Sequence, residues 1–268
     1  MNVSLPLTKT AIPARTVAKS AVDIPQYSRR AIVAVWAAAA LPMAVLAWLV
    51  APVLAPHLGG DGNVPMFKAL FSCLTAGLAW QFVLVLILVA REQRTLRYSA
   101  IRDVLWLRSP RSPRSGRIGG RIWLVLIPLT IAFGAEELLS GGIPTPANRD
   151  MGMFLDSHAG QAFLHGNWGW FGIVVFSVLM NTLLGEELLF RGFLLPRMNA
   201  AFGRRDWVAN GLLFAGYHLH MPWAIPTALL DTFILAYPSK RYRSAWIGIA
   251  VHSAQSVTIM AIVLALVL

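Results

Sequence analysis

Long apolar runs, each bounded by charged or turn-forming residues, alternate with short polar stretches along this chain. A helix needs about 20 apolar residues to cross the roughly 30 Å hydrocarbon core of a bilayer. Five runs have that length or come close: 31–54, 67–90, 122–139, 168–190 and 245–268. The third is slightly short and carries Glu136 and Glu137 near its end, and the fourth also ends in carboxylates. Between the fourth and the last, residues 207–237 are apolar but interrupted by Gly211, Gly216, Pro222 and Pro226. Such breaks predict two short helices in a re-entrant hairpin, tolerated in a membrane where neighbouring protein satisfies the freed backbone groups. The pattern therefore predicts an all-α fold, a polytopic transmembrane helical bundle of about seven to eight helices including the hairpin.

Composition removes the soluble classes. Hydrophobic residues make up 57% and charged residues 13% of the 268, whereas an ordinary globular domain is roughly 25% charged. A single cysteine, Cys73, rules out a disulfide scaffold. The net charge of +11 would suit a nucleic-acid binder, so its distribution decides the matter. Cations fill the N-terminal arm (Lys9, Arg15, Lys19, Arg29, Arg30) and the segment from Arg91 to Arg121. More follow the fourth span (Arg191, Arg197, Arg204, Arg205) and precede the last (Lys240, Arg241, Arg243), leaving only Lys68 and Arg149 in the alternate loops. Loops rich in Lys and Arg stay in the cytoplasm. The partition predicts a multi-pass protein of the cell inner membrane with a cytoplasmic N-terminus, an outer C-terminus, and a hairpin that leaves and returns on one side. These cations flank spans and lack regularly interleaved aromatics, so the partner they indicate is membrane lipid, not nucleic acid. The chain divides into a cytoplasmic basic arm at 1–30, two spans with an Arg-rich cytoplasmic loop at 31–121, and a core at 122–268 that holds the motifs below. Within the loop, RSPRSPRSGR (108–117) reads as a mobile linker.

Ionisable side chains inside spans cost roughly 2.5–3.5 kcal/mol each, so each needs a reason to be there. Here they cluster. Glu186, Glu187 and Arg191 stand at the cytoplasmic end of the fourth span in GEELLFRGF, His218 and His220 in FAGYHLH, and His252 two turns into the last span in VHSAQS. The orientation above brings all three segments toward the cytoplasmic leaflet, where one water-filled cavity open to the cytoplasm is expected to gather them. Glu187 and Arg191 are spaced i, i+4 and can pair along one helix face. Glu186 is rotated by about 100° and has no cation at i+3 or i+4, which leaves its carboxylate free to act as a base toward water. Phe214 and His218 share a face, as do His252 and Ser256. The two histidines could hold that water, polarise a carbonyl, or bind a metal.

These residues resemble a known family. EExxxR (Glu186, Glu187, Arg191), FxxxH (Phe214, His218) and a histidine in the last span are similar to the CPBP family of intramembrane endopeptidases. That family comprises the type II CAAX prenyl proteases, bacteriocin-processing relatives and proteins like lysostaphin resistance protein A. The resemblance covers 168–268 by motif and the earlier spans in character only. It implies cleavage of a peptide bond in a peptide or membrane-anchored protein substrate, with Glu186 activating water, His218 orienting it and His252 aiding the oxyanion. Glu187 and Arg191 would support the base and help bind substrate. The family's third motif normally places Asn four residues after its histidine, where this chain has Ser256, with Gln255 beside it and turned away on a regular helix. No cofactor is required in this reading. The alternative is zinc on Glu186, His218 and His252, although HExxH is absent and a liganded Glu186 could not easily be the base as well.

Plainer readings apply elsewhere. AEELLSG (135–141) repeats the acidic pair with Gly141 in place of the arginine, so Glu136 and Glu137 read as interfacial. His57, His158 and His165 read as solvated, His220 as a neighbour of the site, and Asn210 and Asp231 as either structural or cavity-lining. A second hypothesis from another class is a non-catalytic membrane immunity or scaffold protein that keeps the fold, favoured by Ser256.

Overall fold

The computed structural model describes residues 24–140 and 143–268, and among these every regular element is helical apart from one isolated bridge between Arg111 and Ile118. Most of the expected basic arm, including Lys9, Arg15 and Lys19, lies outside the described residues, as does the Glu137 side chain. Helices α1 (Arg29–His57) and α2 (Val64–Gln93) form a first antiparallel pair. The short α3 (Tyr98–Val104) precedes the basic loop, and a 3-10 turn at Gly120–Val125 leads into α4 (Leu126–Ser140). Two short helices, α5 (Met151–Asp156) and α6 (His158–Leu164), precede the long α7 (Trp168–Arg197). Next come α8 (Asp206–Tyr217), the short α9 (Tyr237–Tyr242) and the final α10 (Ala245–Val267). Four of them, α1, α2, α7 and α10, are long and apolar enough to cross a membrane.

Side chains set several helix starts. Ser28 accepts from the Ala31 amide, Asp150 from Met153, Ser157 from Gly160 and Asn167 from Trp170, each satisfying an amide that has no partner in the first turn. Two expected boundaries move. The third expected span is a 15-residue helix entered through the 3-10 turn, about 22 Å long and short of the roughly 30 Å core. The fourth extends beyond 190 to Arg197, so the two glutamates stand inside a span and not at its end. The segment 108–117, expected as a free linker, closes into a turn docked on α9: the Arg111 amide donates to the Tyr242 carbonyl and the Gly119 amide to Pro110.

The hairpin returns to its own side. Asp206 and Lys240 form an ion pair at its two ends, and the Trp207 ring meets those of Tyr237 and Phe233 at 5.1 and 5.6 Å. Gly211 permits this closeness: a Cβ there would come within 2.6 Å of the Thr232 Cα.

The bundle has two distinct ends. At one, the Tyr27 amide donates to the Arg197 carbonyl, the Ala245 amide to Trp106, and a buried cluster joins α1, α2 and α7. In that cluster Arg197 pairs with Glu92 at 2.6 Å, stacks on Phe193 and donates to the Val104 and Phe193 carbonyls, while the Tyr27 hydroxyl donates to Glu92. Burial first, then the Glu92 carboxylate, raises the Tyr27 hydroxyl above its ordinary value and keeps it a donor. At the other end Phe67 stacks on Phe154 at 4.0 Å, Asn63 reaches the Ala147 carbonyl, and the Gly166 amide donates to Val267. The exposed cations of 91–121, 204–205 and 241–243 belong to the first end. Arg191 and Arg197, counted above with the loop cations, are fully buried within α7 and serve packing instead.

Candidate active site

The two adjacent glutamates have different environments. On both sides of them α7 widens into π turns, over Leu179–Gly185 and Leu188–Leu194, a local irregularity often found at functional sites. Glu187 is fully buried, and its Oε1 accepts from Arg191 Nη1 at 3.1 Å and from His252 Nδ1 at 3.2 Å. Gly248 of α10 lies directly against Glu187 Oε2, and a side chain there would collide with the carboxylate. The Arg191 guanidinium sits 3.9 Å from the Phe214 ring centroid, a cation–π contact that compensates part of its desolvation.

Among the described residues Glu186 forms no direct ion pair with a cation. With the Asn181 amide turned so that its nitrogen faces the carboxylate, that nitrogen donates to Oε1 and Oε2 at 3.1 and 3.2 Å. The Tyr217 hydroxyl also donates to Glu186, and itself accepts from Gln81 Nε2 at 2.5 Å. Among the described residues the hydrogen-bond donors to Glu186 are therefore neutral, and the His252 and Arg191 charges act on it only through space.

His218 lies one residue past the end of α8, and its Nδ1 sits 3.0 Å from the Phe214 carbonyl. A carbonyl only accepts, so Nδ1 carries the proton and Nε2 keeps a lone pair for a water or a substrate proton. Phe214 thus accounts for the FxxxH spacing twice, with its carbonyl on the histidine and its ring on Arg191. His252 is oriented in the same way, with its Nδ1 facing the Glu187 carboxylate, a counter-ion that can balance an imidazolium whose Nε2 presents an N–H.

Glu186, His218, His252 and Ser256 line one cavity of about 650 Å³, together with Asn181 and Asp231. Glu187 and Arg191 lie behind its wall. Among the described residues Glu187 Oε2, Arg191 Nη2 and Asp231 Oδ1 are buried with no hydrogen-bond partner, a demand that internal water can meet. One expectation needs correction: Glu136, read as interfacial, lines the cavity because α4 packs on α10 and the hairpin, turning this face inward. Gln255, one residue from Ser256 on the regular α10, lines it as well. Beyond the site the cavity reaches the segment from Ile143 to Gly152. Of the ambiguous polar groups, Asn210 donates to the Phe190 carbonyl and is structural, while His220 is buried in the cavity wall, stacked 5.5 Å from His218. His57, His158 and His165 are exposed.

Tyr217, Gln81 and Asn181 were not singled out from the sequence. Gln81 is the one side-chain amide in the second apolar run and Tyr217 adjoins His218, which were the available signals. Among the described residues no three His, Cys, Asp or Glu side chains are grouped as a metal site.

Residues 167–258 match the model of the family described as type II CAAX prenyl endopeptidase Rce1-like. No curated protein and no solved structure matched the chain. The matched stretch runs from the cap of α7 to just past Ser256 and takes in every site residue named above except Gln81 and Glu136. Motif and family model agree over this stretch, and together they support membership of the CPBP family through its Rce1-like region.

Proposed function

We propose that this protein is an intramembrane endopeptidase of the inner membrane that hydrolyses a peptide bond by glutamate-activated water attack. In this reading Glu186 takes a proton from a water held by His218 Nε2, and the resulting hydroxide bonds to the carbonyl carbon of the substrate. The developing oxyanion meets the N–H of His252, whose charge Glu187 balances, and the hydroxyl of Ser256. Glu186 then returns the proton to the departing amine nitrogen as the C–N bond breaks. Arg191 holds Glu187 in place and acts through it. The reading requires no metal, and elemental analysis of the purified active protein tests that point.

The observation that carries this proposal is that among the described residues the hydrogen-bond donors to Glu186, in the cavity wall, are neutral, while the adjacent Glu187 takes the arginine and the histidine. The test is processing of a co-expressed membrane-anchored candidate substrate by wild type, Glu186→Gln and Glu186→Ala. Loss of cleavage in both variants, with normal membrane levels, is expected. Equal processing by all three would overturn the proposal in favour of a non-catalytic immunity or scaffold role, the reading that Ser256 in place of the family's Asn favours.

A further inference from the structure

The cation-rich end of the bundle holds a second cavity, of about 880 Å³, that shares no lining residue with the candidate active site. Among the described residues five cations line it, Arg102, Arg108, Arg111, Lys240 and Arg243, against one carboxylate, Asp103. That carboxylate is shared: its Oδ1 accepts from Arg102 Nε at 3.0 Å and from Arg108 Nε at 2.8 Å, which leaves the Nη atoms of both arginines for another acceptor. Lys240 pairs with Asp206, which is not part of the lining, and its Nζ lies 6.0 Å from the Trp106 ring centroid. Arg111 and Arg243 are exposed and form no ion pair among the described residues. Like charges gathered in this way repel one another, and an anion bound among them relieves the repulsion.

The main chain holds these side chains together. The Ala245 amide donates to the Trp106 carbonyl and the Arg111 amide to Tyr242, both at 2.9 Å, and the Ser244 hydroxyl donates to the Arg108 carbonyl at 2.6 Å. On another wall Gln26 donates to the Pro196 carbonyl and accepts from the Ala200 amide. The segment RSPRSPRSGR, which the catalytic reading leaves without a part, thus contributes Arg108 and Arg111 to a surface tied to α9 and α10. Its level along the bundle says which anion fits. Pro196 is the penultimate residue of α7 and Trp246 the second of α10, two helices long and apolar enough to cross a membrane, so the cavity stands where spans end and lipid headgroups begin. Trp106 and Trp246 in its wall are side chains that favour that level of a bilayer, and Leu107 and Ile118 offer apolar contact beside the cations. Basic pockets at the ends of spans take up phospholipid headgroups, and the arginine fork matches phosphate oxygens in pairs. With its one carboxylate already shared by two arginines, the cavity has no partner among the described residues for the ammonium of a zwitterionic lipid. From the charge, the framework and the level we infer that this cavity is a binding site for the phosphate group of an anionic phospholipid. It is a discrete site, distinct from the diffuse attraction of loop cations to a charged bilayer, and it does not depend on the endopeptidase reading.

Native mass spectrometry of the full chain, delipidated in a neutral detergent and titrated with phosphatidylglycerol or phosphatidylcholine, reads the binding. The wild type is expected to take up one phosphatidylglycerol at concentrations where phosphatidylcholine leaves it bare; equal binding of the two lipids overturns the inference. Arg111→Gln with Arg243→Asn removes two cavity cations that hold no ion pair, the second change suiting the left-handed backbone at 243, where φ is 49°. Arg114→Gln with Arg117→Gln removes the same charge from two exposed cations that do not line the cavity. Apparent affinity for phosphatidylglycerol should fall about 10-fold or more in the first pair and stay within about twofold of wild type in the second. A comparable loss in both pairs would mean diffuse attraction, and no loss in the first would mean that the lipid sits elsewhere; either result overturns the inference. Thermal midpoints without added lipid check the fold, and Arg243→Asn alone, which leaves the loop intact, gives the reading if the first pair is destabilised. Inorganic phosphate and glycerol 3-phosphate compete as soluble probes. Displacement of the lipid by either at the lipid's own concentration would assign the site to a dissolved phosphate and overturn the lipid assignment.

Discussion

Two neighbouring carboxylates are given different work by what donates to them. A carboxylate that accepts from an arginine and a histidine is fixed as a counter-ion, whereas one held by an amide and a phenol remains basic enough to receive a proton. Tyr217 is the residue where this distinction can be probed most gently. Tyr217→Phe removes the hydroxyl donor to Glu186 and leaves the packing of the ring intact. A hydrogen bond to a charged group contributes about 1.5–3 kcal/mol, so kcat should fall roughly 10- to 100-fold with KM nearly unchanged, as read by steady-state cleavage of a peptide substrate. Ser256 tests the other side of the reaction. If its hydroxyl is a poor substitute for an amide donor, Ser256→Asn should raise kcat, by up to about 10²-fold if the full donor effect is regained.

Helices position these groups by close approach and by buried pairing. Gly248 lets α10 lie against Glu187, and Gly248→Leu should push the carboxylate off His252 and Arg191. Overpacking of this kind typically costs about 1–3 kcal/mol, and loss of cleavage should exceed what the lowered melting temperature alone explains. At the basic end Arg197→Ala leaves Glu92 buried without its cation, a change worth about 3–5 kcal/mol, detectable as a large drop in thermal midpoint in detergent. Nearby, Arg108 and then Arg102 hold the Asp103 carboxyl below its ordinary value. A lowered carboxylate adds stability that is present above its unfolded value and lost as pH falls through its folded value. Amide exchange across 103–111 should therefore quicken on acidification below pH ~4 and stay unchanged between neutral and alkaline pH.

For the molecule as a whole, the arrangement to be tested is a bundle whose cation-rich end lies in the cytoplasm. Trypsin offers an independent check of orientation. Inverted vesicles should be cut within 111–117, where Arg111, Arg114 and Arg117 are exposed, whereas right-side-out vesicles should be protected there. Mass spectrometry of the fragments reads the result, and cutting of that loop in right-side-out vesicles would reverse the assigned sidedness.

Hydropathy and charge, being additive along the chain, made four of the five expected spans, the hairpin and the cation-rich end legible without coordinates. Fixed helical spacing likewise made Glu187 with Arg191 and Phe214 with His218 legible, because partners within one turn need no knowledge of the fold. Contacts between helices distant in sequence are different, since they depend on how each helix is rotated and how far it extends. Only the tertiary structure decided that His252 faces Glu187, that Gln81 supports Tyr217 and that Glu136 lines the cavity. It also decided which residues share the cavity, since α7 continues buried past the glutamates to Arg197 and a hydropathy run cannot show where side chains leave space.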